Sequence, residues 1–205
     1  MGVSSGRATL IIMVKAPVAG RVKTRLGADI GLARSAAIFR SLTRHTIMRA
    51  RRGPWRTVLA VDPVTEIGRP RPLWPASLPR VSQGAGDLGA RMKTAMRAVG
   101  LGPVVIIGAD APAISAIHVR AAFERLRGHD AVFGPADDGG YWLIGLARRT
   151  PAHDLFAGVR WSSATTLDDT LRSLPPGFRV SLIETLSDID TADDLAGMQL
   201  LTTRD

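Results

Sequence analysis

Four cations, Lys15, Arg21, Lys23 and Arg25, fall within eleven positions, directly after the apolar run Leu10-Ile11-Ile12-Met13-Val14. A buried strand would hold such a loop in place, and Pro17 and Gly20 keep it from becoming helix. Cations set beside backbone N–H groups bind an oxygen-rich anion such as a di- or triphosphate. The sequence has 24 Arg and only three Lys, and two of the three, Lys15 and Lys23, stand here. Ammonium and guanidinium groups are not interchangeable, so geometry is a reason to keep the compact cation in an Arg-rich chain. The plainer reading is a solvated basic loop, because short basic clusters are unspecific signals.

Carboxylates supply the complementary chemistry. Asp110 follows the continuous apolar run Val104-Val105-Ile106-Ile107, between small residues and ahead of Pro112. An ionised carboxylate at a core edge is costly unless paired. A divalent cation would pair it while neutralising a diphosphate on the first loop. Capping of a helix that begins near Ile114, by Asp110 or Ser115, is the competing role; the company of the basic loop favours metal. Asp137-Asp138-Gly139-Gly140 sets two acids ahead of a strand. There Asp138 could orient or deprotonate an acceptor hydroxyl, while Asp-Gly equally signals a tight turn. Asp188 and Asp190 are spaced like a ligand pair, although Asp190 or Thr191 also suits the cap of a last helix. The four histidines, His45, His118, His129 and His153, share no spacing and read as structural. Gly84-Ala85-Gly86-Asp87-Leu88-Gly89 matches the dinucleotide fingerprint G-x-G-x-x-G, and Asp110 lies 21 positions beyond Gly89. The preceding Pro79–Gln83 is a poor buried strand, so an NAD(P)-binding oxidoreductase is the minor reading.

These groups need a frame. A chain of 205 residues is long enough for one sizeable α/β core and short for two, so residues 1–205 read as one domain. Hydrophobic and charged contents of 45% and 22% are ordinary globular values. The absence of cysteine excludes a disulfide framework, a thiolate metal site and a Cys nucleophile. The first apolar run is too short for a signal segment or a membrane span, which makes the cytoplasm the expected location. The net charge of +9 divides into +14 over residues 1–100 and −5 over residues 101–205. Aromatics are only 5%, and Arg34, Arg40, Arg44, Arg49, Arg51 and Arg52 fall on one predicted helix. That pattern suits a solvated helix face better than a nucleic-acid stripe, which usually interleaves aromatics. A polyanion-binding module remains the rival from another functional class. Oligomeric state is not legible.

Strands and helices alternate. Strands are predicted over 8–14, 56–61, 80–83, 103–108, 130–134, Tyr141–Leu146 and 178–184. Helices are predicted over 29–51, 88–99, 115–127, 162–174 and 190–201. Five prolines make Pro63–Pro79 an irregular excursion. Alternation of this kind implies βαβ units and a mostly parallel, Rossmann-like sheet with right-handed crossovers. In open α/β sheets ligands bind at the carboxyl ends of the strands. The loops after residues 14, 107 and 134 all leave strand ends, so they can converge on one crevice.

Six motifs carry a family resemblance: KAPVAGRVKTRL (15–26), QGAGDLGARM (83–92), GADAP (108–112), PADDGGYWLIGL (135–146), WSS (161–163) and SDIDTADDL (187–195). Together, from Leu10 to Leu195, the chain resembles the bacterial GT-A-like transferases first catalogued as a domain of unknown function. That family is also described as radical-SAM/selenodomain-associated glycosyltransferases. More distantly the chain is similar to nucleotidyltransferases of the molybdenum-cofactor and coenzyme F420 pathways. The resemblance implies a three-layer GT-A, nucleotide-diphospho-sugar transferase fold acting on a nucleotide-activated donor and a small-molecule acceptor, with no nucleic acid. It implies that Lys15, Gly20, Arg21, Lys23 and Arg25 meet the donor phosphates, and that Gln83, Gly86, Asp87 and Gly89 line the nucleoside pocket. It places Asp110 on Mg²⁺ or Mn²⁺ and favours Asp190 over Asp188 as second ligand. With Asp138 read from the residues as the group that orients or deprotonates the acceptor, the expected catalytic set is Asp110, Asp138 and Lys23. The chain departs from the pattern at Val18-Ala19-Gly20, where the family usually has proline before glycine. It also has Ala111-Pro112 where a D-x-D motif would place a second acid. A nucleotidyltransferase releasing pyrophosphate is therefore the alternative to a glycosyltransferase.

Overall fold

Leu10, Ile11 and Ile12 are all fully buried, which a strand achieves only when both of its faces are covered. The first strand, β1 (Thr9–Lys15), meets that condition at the centre of a seven-stranded sheet. The structure is a computed structural model and describes residues 7–69, 74–109, 111–147 and 155–187. The remaining strands are β2 (Arg56–Asp62), β3 (Arg80–Ser82), β4 (Val104–Ile107), β5 (Ala131–Pro135), β6 (Tyr141–Leu146) and β7 (Val180–Leu182). Their order is β3-β2-β1-β4-β6-β5-β7. β1 pairs in parallel with β2 along its whole length and with β4 from Thr9 to Ile12.

Side-chain alternation along β1 divides the core. Leu10, Ile12 and Val14 face helices α2 (Leu32–Ala50) and α4 (Ala116–Arg125). Ile11, with Met13 against it, faces helix α3 (Leu88–Val99) and helix α5 (Thr166–Arg172). Sheet and helices thus form three α/β layers, as the sequence implies. No helix among the described residues is long and apolar enough to cross a membrane.

Two expectations are corrected. The predicted helix over 29–51 is two helices, α1 (Thr24–Ile30) and α2, separated at Gly31. Gly31 adopts φ 91°, ψ 142°, a conformation that ends one helix and starts the next, and that a β-carbon would oppose. Arg25 and Leu26 are consequently helical rather than part of the first loop. The predicted helix over 162–174 is confined to α5, because Ser163, Thr165 and Thr166 turn their hydroxyls onto nearby backbone and one another. The sheet is mostly parallel, as expected, and β6 is its antiparallel member, running against both β4 and β5. Residues 136–140 are too few for a crossover and admit only a hairpin. The predicted helix over 190–201 lies outside the described residues.

Alternation along β1 yields a direct test. Ile12→Ala should cost about 2–5 kcal/mol, as for other fully buried aliphatic truncations. Met13→Ala, at a half-buried neighbouring position, should cost clearly less. Urea midpoints with an unchanged slope would report the difference.

Candidate active site

Because β1, β2, β3 and β4 are parallel, their carboxyl ends lie along one edge of the sheet. A cleft of about 960 Å³ opens there. Its floor is apolar, with Met13, Met92, Ile106 and Ile144. One part of its wall carries Lys15, Arg21, Lys23 and Arg25, and the rest includes Asp138 and Trp161–Ala164.

The basic loop is held in place by a buried valine. Val22 is 4% exposed and packs with Ala36 and Phe39 of α2. Arg21 and Lys23 flank that buried side chain, so packing of Val22 holds both cations at the cleft. Lys23 also takes the left-handed conformation (φ 44°, ψ 49°) as it opens α1. For a residue with a β-carbon that costs about 1–2 kcal/mol, which the tertiary packing of the loop offsets.

The glycine-rich stretch has a structural explanation that overlaps with its predicted role. Gln83 is 3% exposed, and its amide nitrogen donates to the carbonyls of Val14 (3.0 Å) and Ala60 (2.9 Å). It therefore ties β1 to β2 while lining the cleft. Asp87 caps α3 by accepting from the Ala90 amide at 2.8 Å. Gly86 and Asp87 reach the cleft; Gly20 and Gly89 do not line it. A β-carbon on Gly89 would meet Phe156 and Trp161, which explains glycine there by packing. The fingerprint follows β3, a three-residue edge strand, and not the buried strand that dinucleotide binding needs.

Arg91 escaped the sequence reading. It lines the cleft, donates to the Gly86 carbonyl (3.0 Å) and pairs with Asp62 (3.2 Å) at the end of β2. Its position four residues after the cap Asp87 was the available signal, since that spacing turns it toward the same loop.

On the acidic side, Asp138 Oδ1 accepts from the Gly140 amide at 2.8 Å, which makes the predicted turn. Gly139 sits against the next loop: a β-carbon there would lie 2.1 Å from the Ala164 carbonyl oxygen. The Leu167 amide donates to the Gly139 carbonyl at 3.0 Å. Two cleft loops are therefore in direct contact. The second is anchored by Asp169, whose carboxylate accepts from Arg160 Nε (2.8 Å) and Nη2 (3.0 Å) and from Arg172 (2.9 Å). The Arg160 hydrogen bonds hold the Asp169 carboxyl well below the usual carboxylate range. Burial pushes the Tyr141 phenol far above its ordinary value, so this cleft residue stays neutral and is no base.

Among the histidines, His118 accepts from the Ser115 amide through Nδ1 (3.0 Å) and meets Glu184 through Nε2 (2.7 Å). Ser115, rather than Asp110, is the cap of α4. His45 contacts Arg49, and His129 contacts the Arg125 carbonyl. His153, Asp110, Asp188 and Asp190 lie outside the described residues. Ala109 and Ala111, on either side of Asp110 in sequence, line the cleft. Ser187, next to Asp188 in sequence, donates a hydrogen bond to Asp137. Among the described residues no cluster of three or more acids or histidines could hold a metal.

Asp169 gives a pH signature. Its folded-state pKa is lowered, so its contribution is complete above the ordinary aspartate range and is lost as pH falls from about 4. Thermal melts from neutral to acid pH should show that limb, and Asp169→Asn should flatten it while lowering the neutral-pH melting temperature.

Solved structures share this architecture. A candidate nucleotide-diphospho-sugar transferase from Desulfovibrio desulfuricans G20 is 29% identical, with a TM-score of 0.82 over 94% of this chain and 86% of that one. The 2-C-methyl-D-erythritol 4-phosphate cytidylyltransferase from Thermus thermophilus is 20% identical, with a TM-score of 0.53 over 96% and 98%. Rv0371c of Mycobacterium tuberculosis H37Rv, solved in complex with manganese, is 14% identical, with a TM-score of 0.51 over 95% and 98%. At those identities the last two share the fold. No curated protein sequence matches. The fold is that of the nucleotide-diphospho-sugar transferases and nucleotidyltransferases. A family model matches residues 46–163, more than half of the chain, and the protein belongs to that family, described as an uncharacterized protein conserved in bacteria (DUF2064).

Proposed function

We propose that the protein is a metal-dependent transferase that takes a glycosyl group from a nucleotide-diphospho-sugar. The observation that carries this reading is the division of one cleft. Lys15, Arg21, Lys23 and Arg25 stand on it with Asp138 and with the residues on either side of Asp110. The likeness to the Desulfovibrio desulfuricans protein supports the same donor class.

The donor set suits a hard cation. The sequence has no cysteine, and His118 is committed to Ser115 and Glu184. Carboxylates of Asp110 and Asp190 would hold Mg²⁺ or Mn²⁺. When bound, the cation offsets charge on the leaving diphosphate. The chain's own cations act on the same charge. Arg21 and Arg25 offer planar forks to phosphate oxygens, and Lys15 and Lys23 offer point charges. Arg91 restrains the Gly86 turn beside them. Asp138 orients the acceptor hydroxyl and takes its proton as the acceptor oxygen bonds to the sugar carbon and the bond to the diphosphate breaks. Its hydrogen bond to Gly140 presets the carboxylate for that task.

A second reading has its own observation. Pro112 stands where a D-x-D motif beginning at Asp110 would place a second acid, as suits a nucleotidyltransferase. In that case the acceptor oxygen attacks the α-phosphorus of a nucleoside triphosphate and pyrophosphate leaves.

Nucleotide sugars or nucleoside triphosphates should raise the melting temperature only with Mg²⁺ or Mn²⁺, and Asp110→Ala should abolish the shift. No shift with any nucleotide in the presence of metal would remove the proposal. Release of a nucleoside diphosphate supports glycosyl transfer, whereas release of pyrophosphate supports the second reading. Asp138→Ala should lower kcat by roughly 10²-fold, within the range of general-base removal, with little change in donor KM.

A further inference from the structure

The helical layer opposite α3 and α5 has an unusual surface. From residue 30 to residue 61 the sequence contains seven Arg and no Asp or Glu. On α2, Arg34, Arg40, Arg44 and Arg49 are exposed, and Arg52 follows, also exposed. A solvated helix of this length ordinarily mixes both signs, because acids four residues from arginines stabilise it. α4 packs in the same layer and adds exposed Arg120, Arg125 and Arg127 against a single exposed acid, Glu124. Among the described residues, none of Arg44, Arg52, Arg120 and Arg127 has a carboxylate partner.

Three large exposed apolar side chains lie on this layer, Leu32 at the start of α2 among them. Met48 is 39% exposed, with Arg44 four positions before it on the same side of α2; Arg52 follows just past the helix end. Ile117, in the first turn of α4, is 76% exposed. By contrast the aromatics are drawn inward: Trp55 is 6% exposed and packs against Phe123 at 5.7 Å. Those two rings floor a second hollow of about 220 Å³, whose lining includes Pro54, Arg120 and Arg127 together with the acid Glu124. The hollow therefore begins two residues beyond Arg52.

We propose that the α2–α4 layer docks on an anionic lipid bilayer, with Arg120 and Arg127 at the rim of the hollow among its headgroup contacts. Charge complementarity supplies the attraction, since basic clusters at a membrane surface add their effects residue by residue. Met48 and Ile117 supply shallow apolar contact, while flanking arginine stems can lie along the interface. A single-stranded nucleic acid would instead call for exposed rings on which bases stack, and this layer exposes none. The inference does not depend on the transferase reading, because the layer includes none of the residues assigned to the cleft chemistry.

Sedimentation with vesicles tests it, using phosphatidylcholine alone and an equimolar mixture with phosphatidylglycerol. The full chain should sediment with the anionic vesicles only, and added salt should release it. Arg52→Glu/Arg127→Glu should weaken that binding by at least ~10-fold, as expected for reversing two surface charges. Arg97→Glu, an exposed position on α3 in the opposite layer, should keep most of it. Equal binding to neutral vesicles, no binding to either, or an equal loss with Arg97→Glu overturns the proposal. Binding to duplex or single-stranded nucleic acid without vesicle binding overturns it as well. Melting temperatures of the variants separate lost binding from lost folding.

Discussion

Everything at the cleft depends on how β1 is buried. A strand covered on both faces and paired on both edges can neither shift its register nor move its end. Lys15 ends β1 opposite Asp62 of β2, and Ile12 pairs with Ile107 at the end of β4. The start of the basic loop, Asp62 and the segment after β4 are thereby set side by side by backbone hydrogen bonding. Side-chain interactions then refine what the sheet has fixed. Val22 anchors the cations, Gln83 joins β1 to β2, and Arg91 restrains the Gly86 turn.

A second tier of interactions holds the opposite wall. Asp169 gathers Arg160 and Arg172, and the loop so anchored presses on Gly139 beside Asp138. Trp142 closes this side from behind: it is 4% exposed, its indole donates to the Glu184 carbonyl, and His118 meets it edge-on. The cationic wall is therefore held mainly by apolar packing and the acidic wall mainly by polar contacts. Salt and acid should act unequally on the two, since polar pairs are screened and titrated whereas packing is not.

Much of the frame was legible because strong local patterns and tertiary structure agree. Leu10–Val14 and Val104–Ile107 could only be buried strands, and the polar loops after them had to meet at one edge. Other features have no local signature. The apolar spacing of Phe39, Leu42 and Ile47 continues smoothly back past residue 30, so the break at Gly31 is masked by helical periodicity. Trp161–Thr165 precedes a true helix and shares its composition, yet its hydroxyls find closer partners. The Arg160–Asp169 pair joins residues nine apart across a turn, and no spacing rule points to it. Asp138 and the first loop were found because they sit where strands end; Arg91 was missed because it sits on a helix.

The hairpin formed by β5 and β6 bears on how the cleft comes into being. Its turn is the five-residue segment that carries Asp137 and Asp138. Asp138 is positioned by a contact two residues away in sequence, which can form early in folding, whereas β1 must find partners about 50 and 95 residues away. The acidic turn can thus be in shape while the cationic wall is still unformed. A chain caught midway would present isolated carboxylates, and the proposed grip on phosphate would arise only with completion of the sheet.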